Sequence, residues 1–465
     1  MRVREQGRHR IHHLAIAGVL VIAVVAAGCT ANSTGSSNAT GTTASTTPGA
    51  TTPQTQGTGP GVTATTIKLG IAMIDFACIP KAFVDEERPK QQAAYQAFVD
   101  DINQHGGISG RQIVPVYKSI CPLAETDGLA ACTSFSDDSN VFAVVGEFGQ
   151  ITGDIPLCVT KQHNRPLVTF GLTQDMIDKA PPGLLLTPDI LPDRRVKIIT
   201  SLLASQHTLD GKTVAILADS SATARVDQII KPALTQMGLK QGATGILTIS
   251  GTDTAAAQGQ LDGFVEKWKT QHVDALFLAG DAVESKQFVE KVRQTFPGIP
   301  IVADSTGILT GAQDEQKAHV NPNPYTGMIT AEGLTGVQHS QTPNGKMCTA
   351  IFERHTGITV PSPLAVIKLS DGRQNNIYGE SGDACALVTM FKLIAARVGK
   401  NLNIANWTAA VNSFGTINVP STSYASLHTG KYDADDTYGL VAYDPTIGAA
   451  GDWKQLTPVK NVSGN

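Results

Sequence analysis

The sequence predicts an α/β protein made of two doubly wound lobes, each built on a parallel sheet. From Thr66 onward, short runs of β-branched residues alternate with longer segments of helical periodicity, which is the pattern of consecutive βαβ units. The alternation starts again after Pro188, so two sheets are expected rather than one. About 400 residues remain once the N-terminal region is set aside, and chains of that length divide into two or three cores.

The elements of the first lobe follow directly from this alternation. Its predicted strands cover residues 67–73, 112–117, 141–145 and 165–169, and its predicted helices cover 89–105 and 125–136. In the second lobe, strands are expected at 213–217, 245–249, 275–278 and 299–303, and helices at 193–206, 224–237, 258–270 and 283–296. The remainder is mainly helical, at 345–356, 383–398 and 405–413, and ends in strand-like residues 438–443.

The N-terminus has the pattern of an export signal. Basic residues at 2, 4, 8 and 10 precede an apolar stretch from Leu14 to Gly28, which is too short to remain as a membrane-spanning helix. Cys29 follows a run of small residues, so residues 1–28 resemble a bacterial lipoprotein signal in which this cysteine is lipidated. The alternative is an ordinary secreted protein that is cut nearby. Lipidation predicts attachment to the extracytoplasmic face of the cell membrane.

Residues 29–62 are expected to be a tether. Beyond Cys29 this segment contains no charged and no aromatic residue, and it consists almost wholly of small and polar residues. Such a segment lacks the apolar surface needed to fold. As a flexible coil it would span about 30 Å on average.

Six cysteines remain after Cys29. In the oxidising environment of an exported protein they are expected to form three disulfides. Fifteen connectivities exist for six cysteines. Proximity of the predicted elements favours one of them, which has the pairs Cys78–Cys121, Cys132–Cys158 and Cys348–Cys385. No pair has the close spacing of zinc ligands, so no metal site is predicted.

Composition excludes several classes of partner. The net charge is -4 at pH 7, so the chain lacks the basic field that binding to nucleic acid requires. The sequence has no nucleophile elbow, no H-E-x-x-H motif and no P-loop, so neither an enzyme activity nor a cofactor is predicted.

Several motifs together resemble the type I periplasmic solute-binding proteins of the leucine/isoleucine/valine class. The resemblance extends from residue 66 to about residue 450. The central motif is the helix end and glycine turn from Asp100 to Arg111. It occurs together with the segments Thr66–Gly70, Phe142–Gly146, Arg165–Thr169 and Asp274–Gly280.

This resemblance implies two lobes that close on a ligand and that are joined by three crossings, near Pro188, Gly327 and Asp433. The first lobe would then comprise residues 63–188 and 327–432, and the second residues 189–326 and 433–465. The rule that ligands bind at the carboxyl ends of parallel strands also predicts a cleft between two facing sheets.

The resemblance also implies candidate ligand-binding residues. Thr173 matches the threonine that holds an α-carboxylate in amino-acid binders, together with amides near Gly171, and Glu284 matches the glutamate that meets the amino group. Gln150 stands at the position of a serine and Thr223 at that of a tyrosine, which weakens an amino-acid assignment. Thr173 also fits a helix cap, and Glu284 also fits an acidic residue in a first helical turn.

Residues at the predicted strand ends add further candidates. Phe76, Phe148 and Phe170 follow three strands of the first lobe and offer an apolar or flat surface to a ligand, unless they fill the core beneath the loops. Asp75, Glu147 and Asp281 lie at corresponding ends, where they suit a cationic or amino-bearing ligand or are simply solvated.

The sequence therefore predicts a monomeric, lipid-anchored binding protein that captures a small polar solute, an amino acid or a related compound, and delivers it to the permease subunits of an ABC importer. The alternative is an extracytoplasmic sensor of the same fold that signals to a membrane partner.

Overall fold

The computed structural model describes residues 57–79, 86–122, 124–148, 155–248 and 255–463. The predicted signal, Cys29 and most of the predicted tether lie outside these residues. The chain from Thr52 to Asn465 forms one compact unit. Among the described residues, no helix combines the length and apolar character needed to cross a membrane.

Seventeen strands and fourteen helices alternate along the described chain. The strands are β1 (Thr66–Ile74), β2 (Glu86–Glu87), β3 (Gln112–Ile120), β4 (Ala143–Gly146), β5 (Leu167–Thr169), β6 (Leu185–Leu186), β7 (Thr213–Asp219), β8 (Lys240–Leu247), β9 (Ala275–Ala279), β10 (Ile301–Ala303), β11 (Ile329–Glu332), β12 (Gln374–Asn375), β13 (Gly415–Thr416), β14 (Ser426–Leu427), β15 (Thr437–Asp444), β16 (Asp452–Gln455) and β17 (Lys460–Asn461). The helices are α1 (Gln91–Gln104), α2 (Glu125–Thr133), α3 (Ile155–Leu157), α4 (Gln174–Lys179), α5 (Pro192–Ser205), α6 (Thr223–Arg225), α7 (Lys231–Gln236), α8 (Ala255–Thr270), α9 (Lys286–Thr295), α10 (Ile308–Lys317), α11 (Gly336–Gln341), α12 (Pro343–Thr356), α13 (Ile377–Val398) and α14 (Ile404–Asn412).

Two sheets organise these elements, as the sequence predicts. The sheet of the first lobe has the order β3-β1-β4-β5-β6 and is wholly parallel. The sheet of the second lobe has the order β16-β15-β11-β10-β9-β7-β8. Its strands from β8 to β11 are parallel, while β15 pairs antiparallel with β11, β16 and β17. The last part of the chain returns to this sheet and adds strands at its edge.

The glycine turn that carries the central sequence motif shows why this local structure forms. Gly107 adopts φ +70°, and a Cβ at this position would lie 1.9 Å from the carbonyl oxygen of Arg111. The Gly107 amide instead donates to the carbonyl of Ile102 at 2.9 Å, which ends α1. Only glycine therefore fits, and the chain turns directly into β3.

Three segments connect the lobes. The first runs from Thr187 to α5, and the third leads from Tyr432 to β15. They lie side by side, since the amide of Thr187 donates to the carbonyl of Tyr432 at 3.1 Å and the amide of Ala434 donates to the carbonyl of Thr187 at 2.9 Å. The middle crossing follows Glu332 rather than Gly327. Residues 327–332 therefore belong to the second lobe, because β11 is hydrogen-bonded between β10 and β15.

The boundary of the predicted tether also needs correction. The amide of Gly59 donates to the carbonyl of Leu402 at 2.7 Å, and Val62 is buried and forms a bridge with Ile67. The last residues of the segment 29–62 therefore pack on the first lobe. The polar composition of residues 29–62 does not predict this packing, because the buried apolar surface comes from one residue, Val62.

The predicted disulfide pairing is present. Cys78–Cys121 joins the ends of β1 and β3 with a Cα separation of 6.0 Å, while Cys132–Cys158 and Cys348–Cys385 join neighbouring helices. All three lie in the first lobe. His163 comes within 4.8 Å of Cys132 and Cys158, but sulfurs bonded to each other are not thiolates that could hold a metal ion with it.

Candidate functional site

A cavity of about 460 Å³ lies between the two lobes at the carboxyl ends of their strands. Both lobes contribute to its wall, as the rule for facing sheets predicts. The first lobe supplies Arg88, Glu147, Phe170, Gly171, Leu172, Thr173 and Asp383, and the crossing segment and second lobe supply Thr187, Asp189, Ile190, Pro192, Arg195, Ser221, Arg225, Gly280, Asp304, Ser305 and Thr306.

The end of β4 places Glu147 at this cavity. Gly146 has φ +129°, and a Cβ there would lie 2.0 Å from the carbonyl oxygen of Ala72, so only glycine allows β4 to approach β1 so closely. The amide of Glu147 then donates to the same carbonyl at 3.0 Å. Its side chain, 1% exposed, faces the cleft, whereas the next residue, Phe148, turns into the core.

Arg88 contacts three carboxylates at the first-lobe wall of the cavity. Its Nη1 donates to Glu147 Oε1 at 2.8 Å and to Asp383 Oδ2 at 3.3 Å, and its Nε donates to Glu86 Oε1 at 2.8 Å. Burial alone would lower the pKa of Arg88, but the three carboxylates raise it well above its ordinary value. Asp383, which α13 carries, has a pKa raised by burial and by the neighbouring carboxylates, against the lowering effect of Arg88.

Two arginines face the cavity from the second lobe. Arg225 donates from Nε to Asp193 at 2.8 Å and from Nη1 to Asp304. Although burial opposes it, the charge of these carboxylates raises the pKa of Arg225. Arg195 is 7% exposed and lies 3.3 Å from Asp189 and 3.4 Å from Thr306, and among the described residues its Nε has no hydrogen-bond partner.

The loop between β5 and α4 contributes the remaining predicted residues. Phe170, Gly171 and Thr173 all line the cavity. The Thr173 hydroxyl oxygen accepts from the amide of Met176 at 3.3 Å, so this residue caps α4 as well as facing the cleft.

Other predicted residues lie elsewhere. Phe148 is fully buried with its ring 6.4 Å from that of Phe135, so it fills the core rather than contacting a ligand. Phe76 lies under the guanidinium of Arg88, at 5.4 Å, and lines a second cavity of about 420 Å³. Of the three aromatic residues, Phe170 lines the candidate site, and Phe148 follows the alternative of core filling.

Two residues implied by the resemblance are also absent from the wall of the cavity. Thr223 is exposed at the start of a helix beside the cleft. Its hydroxyl donates to the carbonyl of Ser220. Glu284 is 5% exposed, and its Oε1 accepts from the amide of Ser305 at 3.2 Å, so it supports a loop of the cavity from behind. Gln150 lies outside the described residues, and the side chain of Asp281 is likewise not described.

Sequence reasoning missed six charged residues of this site: Arg88, Asp189, Arg195, Arg225, Asp304 and Asp383. A signal existed for Asp304, which directly follows β10 just as Glu147 follows β4. Arg88 and Asp383 carry no such signal, since they meet across 295 residues of sequence.

No known protein-family description and no curated protein sequence matches this chain. Solved structures do match it. A solute-binding protein of an ABC transporter from Rhodopseudomonas palustris BisB5, in complex with 3,4-dihydroxybenzoic acid, is similar with a TM-score of 0.59 at 14% identity, over 85% of this chain and 98% of that one. The substrate-binding protein LivJ from Streptococcus pneumoniae, in complex with isoleucine, is similar with a TM-score of 0.55 at 16% identity, over 85% and 99%.

The chain has the type I periplasmic-binding fold. The resemblance seen in the sequence is thus confirmed at the level of the fold. A third structure with this fold, a fatty acid ABC transporter substrate-binding protein from Thermomonospora curvata, has a TM-score of 0.60 at 16% identity, over 88% of this chain and 95% of that one. All three neighbours are binding proteins of transporters. Since their ligand classes differ, the type I periplasmic-binding fold by itself does not select a ligand.

Proposed function

We propose that this protein is an extracytoplasmic solute-binding protein of an ABC importer and that it captures a small polar solute, an amino acid or a related compound, between its lobes. The observation that supports this most directly is the cavity whose wall comes from both lobes. A solute held there contacts both sheets, so it favours the closed arrangement over an open one. The closed form is then presented to the permease.

The size and polarity of the cavity agree with this proposal. A volume of about 460 Å³ lies within the range that holds small molecules. Its wall contains seven charged side chains and one large aromatic side chain, Phe170. A wall of this kind recognises a solute by hydrogen bonds and charge, and Phe170 provides an apolar contact.

Lipidation of Cys29 would hold this receptor at the membrane, while the polar tether leaves the lobes free to reach the permease. Replacement of Cys29 by Ser is expected to release the protein from the membrane fraction and to abolish labelling with radioactive palmitate. A Cys29→Ser protein that still partitions into detergent with the membranes would contradict the lipid anchor.

The binding function is tested by thermal unfolding of residues 52–465, which form one compact unit and are secreted into an oxidising compartment so that the disulfides form. The panel contains amino acids, amides, aromatic acids, fatty acids and amines. A ligand at a hundred times its dissociation constant adds roughly 2.7 kcal/mol of stability. A shift with one class supports a binding protein, and silence across the panel contradicts it.

Transport is then separated from sensing by measuring uptake of the solute so identified. Deletion of the gene is expected to abolish high-affinity uptake. Normal uptake combined with loss of a transcriptional response would favour the sensor instead. Light scattering of the purified protein checks that it acts as a monomer.

A further inference from the structure

We propose that the first-lobe wall of the cavity is a subsite for a cationic nitrogen of the solute, with Glu147 and Asp383 as its acceptors. This inference rests on the proposed binding function and names the chemical class of ligand that the site takes. An ammonium or amidinium group would donate to Glu147 Oε2 and to the Asp383 carboxylate.

Glu147 supplies an unused acceptor at the cavity. The side chain is 1% exposed, and while Oε1 accepts from Arg88 at 2.8 Å, Oε2 has no hydrogen-bond partner among the described residues. A buried carboxylate oxygen that lacks a donor costs free energy, so a donor from a ligand restores an interaction that the protein itself does not provide.

Asp383 offers a second acceptor beside the first. Its side chain is 32% exposed, and it shares the guanidinium of Arg88 with Glu147 and Glu86, so one positive charge serves three carboxylates. A cation from the ligand would supply the charge that this cluster lacks. Charge-assisted hydrogen bonds of this type are among the stronger ones in proteins.

The balance of charge over the whole cavity points the same way. Its wall contains four carboxylates and three guanidinium groups. The second-lobe arginine Arg225 is occupied by Asp193 and Asp304, and Arg195 contacts Asp189, so neither is a bare positive charge. An anion without a cationic group would therefore enter a site with an excess of negative charge.

This subsite reverses the orientation that the resemblance implies. In the implied orientation, the carboxylate of an amino acid would lie on the first lobe at Thr173, and its amino group would contact Glu284 of the second lobe. Here, Glu284 holds the amide of Ser305 instead, and the buried acceptor is on the first lobe. If the solute is a zwitterion, its anionic end is then directed to Arg195, whose Nε is an unused donor.

The charge of Asp383 adds an independent readout. Burial is the largest of the effects that raise the pKa of Asp383. Arg88 lowers this pKa, and the neighbouring carboxylates raise it further. The ionisable groups that face it are Arg88, Glu147, Glu86, Asp189 and Tyr95. A bound cation favours the ionised carboxylate, so affinity for an amine is expected to rise as the pH is raised through the pKa of Asp383.

Matched compounds test the subsite in the unaltered protein. The probes are L-phenylalanine with 3-phenylpropionate, L-leucine with 4-methylpentanoate, and 4-(aminomethyl)benzoate with 4-methylbenzoate, each titrated by calorimetry into residues 52–465. Binding by at least one amine-bearing member, with its partner weaker by about 10- to 100-fold, is the expected result. Equal binding of a partner that lacks nitrogen would overturn the inference but leave the binding function intact. Silence from every one of these compounds would overturn the subsite, while the binding function is decided by the wider panel of the unfolding experiment.

Variants give the second test, using the amine that binds. Glu147→Gln and Asp383→Asn are each expected to weaken it about tenfold or more, and Asp383→Asn to remove the pH dependence. Asp175→Asn is the matched control, because it removes an exposed negative charge of the same lobe that does not line the cavity. Should Glu147→Gln fail to fold, Asp383→Asn decides alone. Unchanged affinity in Asp383→Asn, or in both variants, would overturn the subsite.

Discussion

Glu380 is the carboxyl group whose burial has the clearest consequence for stability. It lies on α13 and is 1% exposed, and among the residues that the structure describes neither of its carboxylate oxygens has a well-formed hydrogen bond. Burial raises the pKa of Glu380 from 4.5 to about 8, although the backbone N–H of Lys90 and the charge of Arg88 favour the ionised form in part. Glu380→Gln replaces a carboxyl group that can ionise by a neutral amide of nearly the same shape.

The sign and size of the effect follow from linkage. Because the folded state holds the proton more tightly than the unfolded state, the free energy of unfolding falls as the pH rises from about 4.5 to about 8. Relative to low pH, the native protein is predicted to lose roughly 1 kcal/mol of stability at pH 5 and 3 kcal/mol at pH 7, and the loss levels off at roughly 5 kcal/mol by pH 9. Glu380→Gln does not ionise, so its stability relative to the native protein should grow by these amounts.

The assay is calorimetric unfolding of the native protein and of Glu380→Gln at pH 5, 7 and 9. Any constant effect of the amide cancels when differences between pH values are compared. Glu125→Gln is the control, because Glu125 is exposed and should give the same difference at every pH. A difference between Glu380→Gln and the native protein that stays constant from pH 5 to pH 9 would refute the reasoning.

Three further predictions concern the scaffold of the site. Replacement of Cys348 and Cys385 by Ser opens a loop of 37 residues and is expected to lower the free energy of unfolding by roughly 4 kcal/mol, measured by calorimetry. Arg194→Met removes one of the cationic partners of the buried Asp433 and Asp436 at the hinge, where Lys431 also lies 3.3 Å from Asp436, and should cost about 3 kcal/mol by the same measurement. Gly280→Ala should weaken solute binding in a calorimetric titration, since φ is +95° and a Cβ would lie 2.2 Å from a carboxylate oxygen at the end of β7.

Each of these has a matched comparison. Reduction of the native protein opens all three disulfides and should lower the transition temperature at least as far as the serine variant does. An unchanged transition temperature in the serine variant would contradict a stabilising role for Cys348–Cys385. Lys179→Met breaks an exposed ion pair and should cost no more than about 0.5 kcal/mol of unfolding free energy. If Arg194→Met lost no more stability than Lys179→Met, the buried ion pairs of Arg194 at the hinge would not stabilise the fold. Gly298→Ala also has a positive φ but open space around its Cβ, so it should leave binding unchanged.

Much of this fold is predictable from the sequence because parallel strands follow a local rule. Buried β-branched runs alternate with helices, and the position where each strand ends locates the cleft. The rule places Glu147 and Phe170 at the cavity, and it extends to Asp304. It fails for Phe148, because the turn after Gly146 directs consecutive side chains to opposite sides.

The rest depends on contacts that no local pattern contains. Arg88 reaches Asp383 across 295 residues, so their pairing exists only in the folded chain. Glu284 fits a ligand-binding position by its place in the sequence, yet it bonds to the loop behind the cavity. Residues from Gly327 to Glu332 continue into a strand because β15, which comes more than a hundred residues later, returns to pair with them.

One set of titrations shows whether the cavity between the lobes binds a small solute. The compound that stabilises the native protein is titrated by calorimetry into the native protein and into Ser221→Trp, whose indole should fill the cavity that Ser221 lines. Ser201→Trp, on the exposed face of α5, controls for the added ring. The account predicts binding to the native protein and to Ser201→Trp, and none to Ser221→Trp. Undiminished binding to Ser221→Trp would place the ligand elsewhere and contradict binding in this cavity.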